Sequence, residues 1–469
     1  MNEKSTSAAV ARKHIFASGR KDIDMTEGTI WRHILKFAFP LLLGNLFQQL
    51  YNTVDTWVVG NHVSNEAYAA VGNVGPAINT LIGFFVGLSS GAGAVISQYY
   101  GAKKYDKVRE TVHTSIVMTA ILGVLFTVLG IFITPFLLRM MKTPESVFAQ
   151  GRAYLSIYFA GIIGLMFYNM GSGILRAVGD SKRPFYFLVV SALINTGLDL
   201  LFVIVLKMGV EGVAYATIIA QGVSAVLVII TLMRSEECIK ILPSYLKINF
   251  DILKKIVKIG IPAAVQMAIT AFSNVFVQSY INYFDADCMS GWTSYNKIDQ
   301  FALLPMQSIA LASTTFVGQN IGCGNDKRAR KGTRVAVLMG ISSTVIIMIP
   351  IMALAPHLVA FFNDKPEVVA YGALLIRVMS PFYVFCCINQ IYAGALRGSG
   401  KSQIPMIIML TSFVFFRQLY LYVMKNFIRN EIIPITLAYP AGWMLASALI
   451  LIYYNKTKLS DNRVVVDNK

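Results

Sequence analysis

Twelve long, predominantly apolar stretches run through this chain, at roughly 34–58, 69–97, 112–134, 153–174, 184–206, 210–233, 256–283, 293–317, 335–355, 368–394, 404–424 and 434–454. A stretch of about 20 such residues crosses the hydrocarbon of a bilayer as a helix. Inside lipid, each backbone N–H and C=O has to find its partner within that helix. The expected fold class is therefore an all-α integral membrane protein with twelve transmembrane helices. Composition points the same way, with 55% hydrophobic and only 14% charged residues, which an ordinary soluble domain does not have. The second stretch is overlong and rich in glycine, so its ends are the least defined.

The chain also repeats itself. Gly173-Ile174-Leu175-Arg176-Ala177-Val178-Gly179-Asp180-Ser181, with Pro184, recurs 221 residues later as Gly394-Ala395-Leu396-Arg397-Gly398-Ser399-Gly400-Lys401-Ser402, with Pro405. Gln98 and Gly101 return at the same offset as Gln319 and Gly322. Lys36, Pro40 and Asn52 return as Lys258, Pro262 and Asn274 at 222, which a single-residue insertion explains. Six spans bring the chain back to the side on which it began, so the halves are parallel repeats. Two such six-helix bundles facing each other across a pathway are chiefly a transporter architecture.

The net charge of +17 is not a nucleic-acid footprint, because of where it sits. Most Lys and Arg fall in the tails and in the loops on one side, including Lys103, Lys104, Lys107 and Arg109, and Lys327, Arg328, Arg330, Lys331 and Arg334. That is the positive-inside bias, and it places both termini in the cytoplasm. The same clusters attract anionic lipid headgroups. Residues 1–33 read as a cytoplasmic tail, 34–233 as the first lobe and 234–255 as a cytoplasmic linker. Residues 256–454 then read as the second lobe and 455–469 as a second tail. The first 28 residues lack the apolar core of a signal peptide, so the first span is expected to target the chain, by default to a bacterial inner membrane.

Charged groups inside spans are expensive and mark function or a partner. Asp55 lies toward the far end of span one and Asp199 in the outer half of span five, with Asp299 near the outer end of span eight. Asn195 precedes Asp199 by four residues and shares its helical face. Asn52 and Thr53 flank Asp55, and Thr217 follows in span six. Carboxylate, amide and hydroxyl oxygens suit a small hard cation, or they satisfy one another and only tie helices together. At the repeat offsets Asp55 falls opposite Val277, and Asp199 opposite Tyr420, so the acidic pair belongs to the first half alone. Arg417, opposite Thr196, is expected to pair with an acid or with backbone carbonyls. Tyr51, Met166, Phe167, Met170, Gln266, Met267 and Phe276 are candidates for a substrate cavity, since methionine and aromatic surfaces adapt to varied apolar shapes and attract cations. Pro40, inside span one, is a candidate bending point.

Other motifs carry less. Gly87-Leu88-Ser89-Ser90-Gly91 fits the GxSxG of a serine nucleophile, but it sits in a small-residue stretch suited to close helix packing. No histidine lies deep in a span to serve as its base, so no enzyme activity is expected. Five cysteines without CxxC spacing give neither a disulfide framework nor a zinc site. No P-loop is present to suggest direct ATP use.

The two loop motifs, LRAVGDSKRP and LRGSGKSQIP, and the Gln-Tyr-Tyr-Gly-Ala and Gln-Asn-Ile-Gly-Cys turns resemble those of the MATE family of multidrug and toxic compound extrusion transporters, from about residue 28 to 455. Asp55, Asn195, Asp199 and Thr217 resemble the DinF-related pattern, whereas Gln266 stands where the NorM-related branch has a glutamate. The resemblance implies an antiporter, active as a monomer, that exports amphipathic and often cationic small molecules. It implies exchange for H⁺ or Na⁺ held at Asp55, Asn195, Asp199 and Thr217, and no tightly bound cofactor. A lipid or lipid-linked oligosaccharide flippase of the same superfamily is the alternative, with a channel or an intramembrane protease as remoter readings. The flippase calls for a basic cavity, and Arg417 is the one basic residue that reads clearly as intramembrane.

Overall fold

The computed structural model describes residues 24–465 apart from Ser64, Lys142, Glu236, Glu237 and Arg429; the first 23 residues of the expected tail lie outside that range. Ten helices are long and apolar enough to cross a membrane. They are α2 (Asn65–Gly101), α3 (Tyr105–Met140), α5 (Lys182–Val205), α6 (Gly209–Arg234), α7 (Phe250–Ile281), α8 (Ala286–Gly322), α9 (Asp326–Ala353), α10 (Pro366–Gly398), α11 (Gln403–Ile428) and α12 (Ile432–Lys456). An eleventh span, α4, is the pair Glu145–Ala160 and Ile162–Ala177, bent by 46° at Gly161. The first helix, α1 (Ile30–His62), is more polar, but its 33 residues rise about 50 Å and suffice to cross. Among the described residues there is no strand. Met25 and Val464, near the two ends of the described residues, lie on one face, called here the terminal face.

The repeat is visible in the backbone. After α4, Gly179 takes φ +99° and after α10 Gly400 takes φ +89°. Gly179 N–H donates to Arg176 O (3.0 Å) and Asp180 N–H to Leu175 O (3.0 Å); Gly400 donates to Arg397 O (2.9 Å) and Lys401 to Leu396 O (2.8 Å). These are two copies of one helix-ending motif, which needs a left-handed residue and so favours glycine. After α2 and α8 the same motif is built on Lys103 (φ +56°) and Gly324 (φ +82°).

Packing does not follow the chain's division into halves. The start of α1 (Ile34, Phe37, Leu41) sits in one apolar core with α8 to α12, while Ile252, Ile256 and Ile259 of α7 sit in a core with α2, α3 and α4. Each half lends the terminal-face end of its first helix to the other. Helices α2 and α7 touch backbone to backbone: a methyl built on Gly91 lies 2.2 Å from Gly260 Cα, and one on Gly87 lies 2.4 Å from Ala264 Cα. Only very small residues permit that approach.

On the terminal face the halves are clasped by two glutamines related by the repeat. Gln98 donates to Gly398 O (2.8 Å) and accepts from Val464 N–H (2.7 Å). Gln319 donates to Ala177 O (3.0 Å) and accepts from Met25 N–H (3.0 Å). Ala177 and Gly398 are themselves repeat mates. Each terminal segment therefore crosses to the opposite lobe. Arg328 holds Glu27 O (2.6 Å) and Gly28 O (2.9 Å), and Lys401 holds Lys458 O (2.6 Å). The linker lies along α3, with Leu242 N–H on His113 Nε2 (3.1 Å) and Asn249 on Glu110 (2.8 Å).

Candidate ion and substrate site

Helices α1 and α5 pack together and bring Asp55 and Asp199 side by side, their carboxyl groups within interaction range. Asp199 is fully enclosed and Asn195, one turn earlier, nearly so. Both oxygens of Asp199, both polar atoms of the Asn195 amide and Oδ1 of Asp55 are buried without a hydrogen-bond partner of normal geometry. The helix changes at this point: Leu200–Val205, immediately after Asp199, is wound as a π-helix, as are Leu410–Phe416 and Met424–Ile428 of α11 in the second lobe. Each buried polar atom left unpaired costs about 1–3 kcal/mol, so the four oxygens among these five atoms are a candidate place for a proton or cation. Two carboxylates and an amide oxygen form a hard donor set of the kind that alkali and alkaline-earth cations accept.

Asp55 also forms part of the wall of a cavity of about 690 Å³. Its other lining residues come from the second half of α1 (Gln48, Tyr51, Asn52), the first half of α2, Tyr154 and Tyr158 of α4, and Thr217 and Gln221 of α6. The opposite wall is the first half of α8: Thr293, Lys297 and Gln300. All these halves lie away from the terminal face, so the cavity belongs to the far side and the clasp closes the other. The side chains of Gln49 and Gln300 hydrogen-bond across it from lobe to lobe. A smaller chamber of about 160 Å³ continues from the shared residues Gln48, Tyr51 and Gln221 toward the clasp, and is lined by Arg176, Tyr168, Asn169 and Thr315. A two-chambered space of this size takes a drug-sized molecule.

The sequence model of the MatE family matches this chain twice, over residues 40–201 and 262–423. The chain belongs to the MATE family. The two matches are offset by the same 222 residues that separate Pro40 from Pro262. Members of this family are transporters rather than enzymes. Among its relatives, a probable multidrug resistance protein of Bacillus subtilis, YpnP, is 29% identical over 92% of this chain and 97% of its own. The probable multidrug resistance protein NorM of Thermotoga maritima is 24% identical over 93% and 94%. A MOP superfamily transporter from Pyrococcus furiosus superposes with a TM-score of 0.88 at 22% identity, over 95% of this chain and 99% of that one. MATE structures have twelve membrane helices in two bundles, and this chain has the same fold.

Within this MATE fold the residues singled out in the sequence are placed unevenly. Asp55, Asn195 and Asp199 form one cluster, and Thr217 lines the adjoining chamber while its hydroxyl donates to Val213 O (2.9 Å). Tyr51 lines both chambers. Met166 and Met170 are packed in apolar cores, and Phe167 packs against one of them. Gln266 is buried outside the cavity wall, Met267 backs onto Gly83, and Phe276 is about half exposed. Among the described residues, Arg417 pairs neither with an acid nor with backbone carbonyls. It donates to Ser273 Oγ (2.8 Å) and Asn274 Oδ1 (2.9 Å) and stacks on Tyr439 at 4.6 Å. Asp299 accepts from the Tyr383 hydroxyl. Ser89 donates to Asn169 O (2.6 Å) and is a packing residue. Sequence reasoning missed Lys297 and Arg176, the two basic residues that line the cavity. Lys297 was legible as a lysine inside a predicted span, on one helical stripe with Thr293 and Gln300.

Proposed function

We propose that this protein is a secondary active efflux antiporter. It exports amphipathic, often cationic compounds in exchange for protons or sodium ions, by alternating access across a bacterial cytoplasmic membrane with both termini inside. The observation that carries the reading is the cluster of unpaired buried oxygens at Asp55, Asn195 and Asp199, set directly beside a substrate-sized cavity. The positive-inside bias assigns the terminal face to the cytoplasm, so the conformation described above is open outward and closed inward. The relatives named for multidrug resistance support the substrate class.

In this mechanism the coupling ion enters from outside through the larger chamber and meets Asp55 first, because Asp55 alone of the pair faces the cavity. It settles between the two carboxylates, where it completes the Asn195 and Asp199 oxygens. Inward passage of one positive charge yields about 2.3 kcal/mol per 100 mV of membrane potential. Loading draws α1 and α5 together and narrows the wall to which substrate was bound. Helix α1 runs unbroken through Pro40, whose missing N–H frees the carbonyl one turn earlier and makes this the soft point of the helix. Substrate leaves as α1 bends there. The acid pair in the first lobe and Gln266 in α7 favour a DinF-related coupling site over a NorM-related one.

The test is ethidium efflux from proteoliposomes, with a pH gradient and a sodium gradient imposed separately, for the wild type and Asp199→Asn. Efflux driven by one gradient and abolished in the variant is the expected result. Efflux that survives in Asp199→Asn at the wild-type rate overturns the coupling site.

A further inference from the structure

We infer that the recess between the start of α1 and the start of α9 holds the headgroup of an anionic phospholipid from the leaflet at the terminal face. The repeat singles it out. The recess, about 560 Å³, is lined by Trp31 of α1 and by Lys327, Arg328, Lys331 and Val335 of α9. A recess of about 380 Å³ in the first lobe is lined by Asp106, Lys107, Glu110 and Thr114 of α3. These four residues fall on the four of α9 at the offset of 221, which also relates Lys103 to Gly324, the two residues of positive φ before these helices. Lys107 and Arg328 keep the same charge. Asp106 and Glu110, however, are replaced by Lys327 and Lys331.

That exchange makes a neutralised recess in one lobe and a basic one in the other. In the first lobe Asp106 accepts from Arg109 (3.1 Å) and Glu110 from Lys107 (3.0 Å). The linker completes it, with Asn249 donating to Glu110 (2.8 Å) and Tyr245 lying against Arg109. In the second lobe Arg328 is already committed to the carbonyls of Glu27 and Gly28 and to the ring of Phe316. Lys327 and Lys331 stay exposed, and among the described residues neither has an acid or other acceptor in range. Asp326, the acid at the start of α9, accepts from Ser460 (2.7 Å) instead. Of the two basic clusters on the terminal face, only this one therefore has free charge around a recess.

Its position favours a lipid over a soluble anion. The expected spans begin at residue 34 in α1 and 335 in α9, so the recess lies where headgroups meet hydrocarbon. Trp31, Leu35 and Phe39 follow one another at four-residue steps on α1, each about half exposed. Leu338 and Ile349 lie on the helical stripe of Lys331 and are also exposed. Below the lysines, both helices thus present apolar stripes to acyl chains, and Trp31 stands at the level where indoles anchor in the interface. Lys327 and Lys331 are one turn apart on one face, so a single phosphodiester accepts from both. A soluble phosphate gains only that charge contact; a phospholipid gains the apolar stripes as well. The bound lipid ties the start of α1 to α9 on the terminal-face side of Pro40, whatever compound the protein carries.

The test titrates the purified full-length protein in neutral detergent with phosphatidylglycerol, phosphatidylcholine or glycerol 3-phosphate and reads bound ligand by native mass spectrometry. Two basic groups at an anionic headgroup give about a thirtyfold preference for phosphatidylglycerol over phosphatidylcholine, which the wild type is expected to show. Lys327→Asp with Lys331→Glu gives α9 the residues of α3 and is expected to bring the two lipids within about threefold of each other. Lys254→Asp with Lys258→Glu makes the same charge change on an exposed, equally spaced pair of α7 outside both recesses, and should keep the preference. Lys327→Gln with Lys331→Gln, of unchanged melting temperature in lipid-free detergent, should lose it, which separates loss of the site from misfolding. A preference that survives both changes at Lys327 and Lys331 overturns the inference. So does an equal loss in the α7 variant, which would reduce the effect to net charge, and so does displacement of phosphatidylglycerol by glycerol 3-phosphate, which would make this a site for free phosphate.

Discussion

Replacing Gln319 with alanine removes both bonds on one side of the clasp. Met25 N–H and Ala177 C=O are left without partners, and both residues are buried, with 0% and 1% of their surface exposed. Each orphaned group costs about 1–3 kcal/mol, so the sealed conformer loses at least about 2 kcal/mol. The inward-open conformer loses nothing, because water reaches both groups once the lobes part. A 2 kcal/mol penalty on one state alone shifts the ratio of conformers about 30-fold toward inward-open. The assay is labelling of Thr315→Cys, in the wall of the deep chamber, in a background without the five native cysteines. A membrane-impermeant maleimide is applied from the side of the termini. Gln319→Ala is expected to raise that labelling by an order of magnitude or more, and Gln98→Ala, its repeat mate, by a similar factor. Unchanged labelling in both variants would refute the reasoning, since it would mean that these bonds do not hold the terminal face shut.

Three further expectations follow from other contacts. Gly91→Ala places a methyl 2.2 Å from Gly260 Cα, and overpacking of this kind costs about 1–3 kcal/mol. Its melting temperature in detergent should fall by several degrees, whereas Gly222→Ala, with open space at the same position, should not change it. Arg417→Ala removes the hydrogen bonds to Ser273 and Asn274, leaving Ser273 only a long one from Gln418 (3.5 Å), and takes the stacked cation from Tyr439. Thermal unfolding should report a loss of about 2 kcal/mol, and ion-driven efflux by the surviving folded protein should persist. Ser89→Ala forfeits one hydrogen bond to Asn169, about 1 kcal/mol, and transport assays should find it active, as a packing serine requires.

The number of spans, the parallel duplication and the first-lobe acid cluster were legible because each depends on properties that sequence displays directly. Span length sets membrane crossing, recurrent glycines set helix ends, and a carboxylate in an apolar run requires a partner or a wet cavity. Met166 and Met170 show the limit of that reading. Their type suits a ligand surface, but only the three-dimensional path of α4 decides that they face a packed core. Arg417 shows another limit, since its partners Ser273 and Asn274 lie 144 and 143 residues away, too remote for any periodicity to reveal. The hydrogen bonds from Gln98 and Gln319 were half visible: the repeat exposed the two glutamines, while their partners depend on where the tails fold back.

Those tails bear on the history of the molecule. If an ancestral half-length protein formed a twofold dimer, the contacts of Gln98 with Gly398 and of Gln319 with Ala177 were then a single contact made twice between identical copies. Fusion of the genes kept that pair, but it could not keep the strand that caps each glutamine. Met25 precedes α1, yet the residues preceding α7 are committed to His113 and Glu110 as the linker. The vacant partner of Gln98 is filled by Val464, from the stretch that follows the last helix, whose counterpart in the first half is the linker itself. The chain restored a lost symmetry with a different segment, so a shortened or heavily tagged C-terminus disturbs the later contact that now completes Gln98.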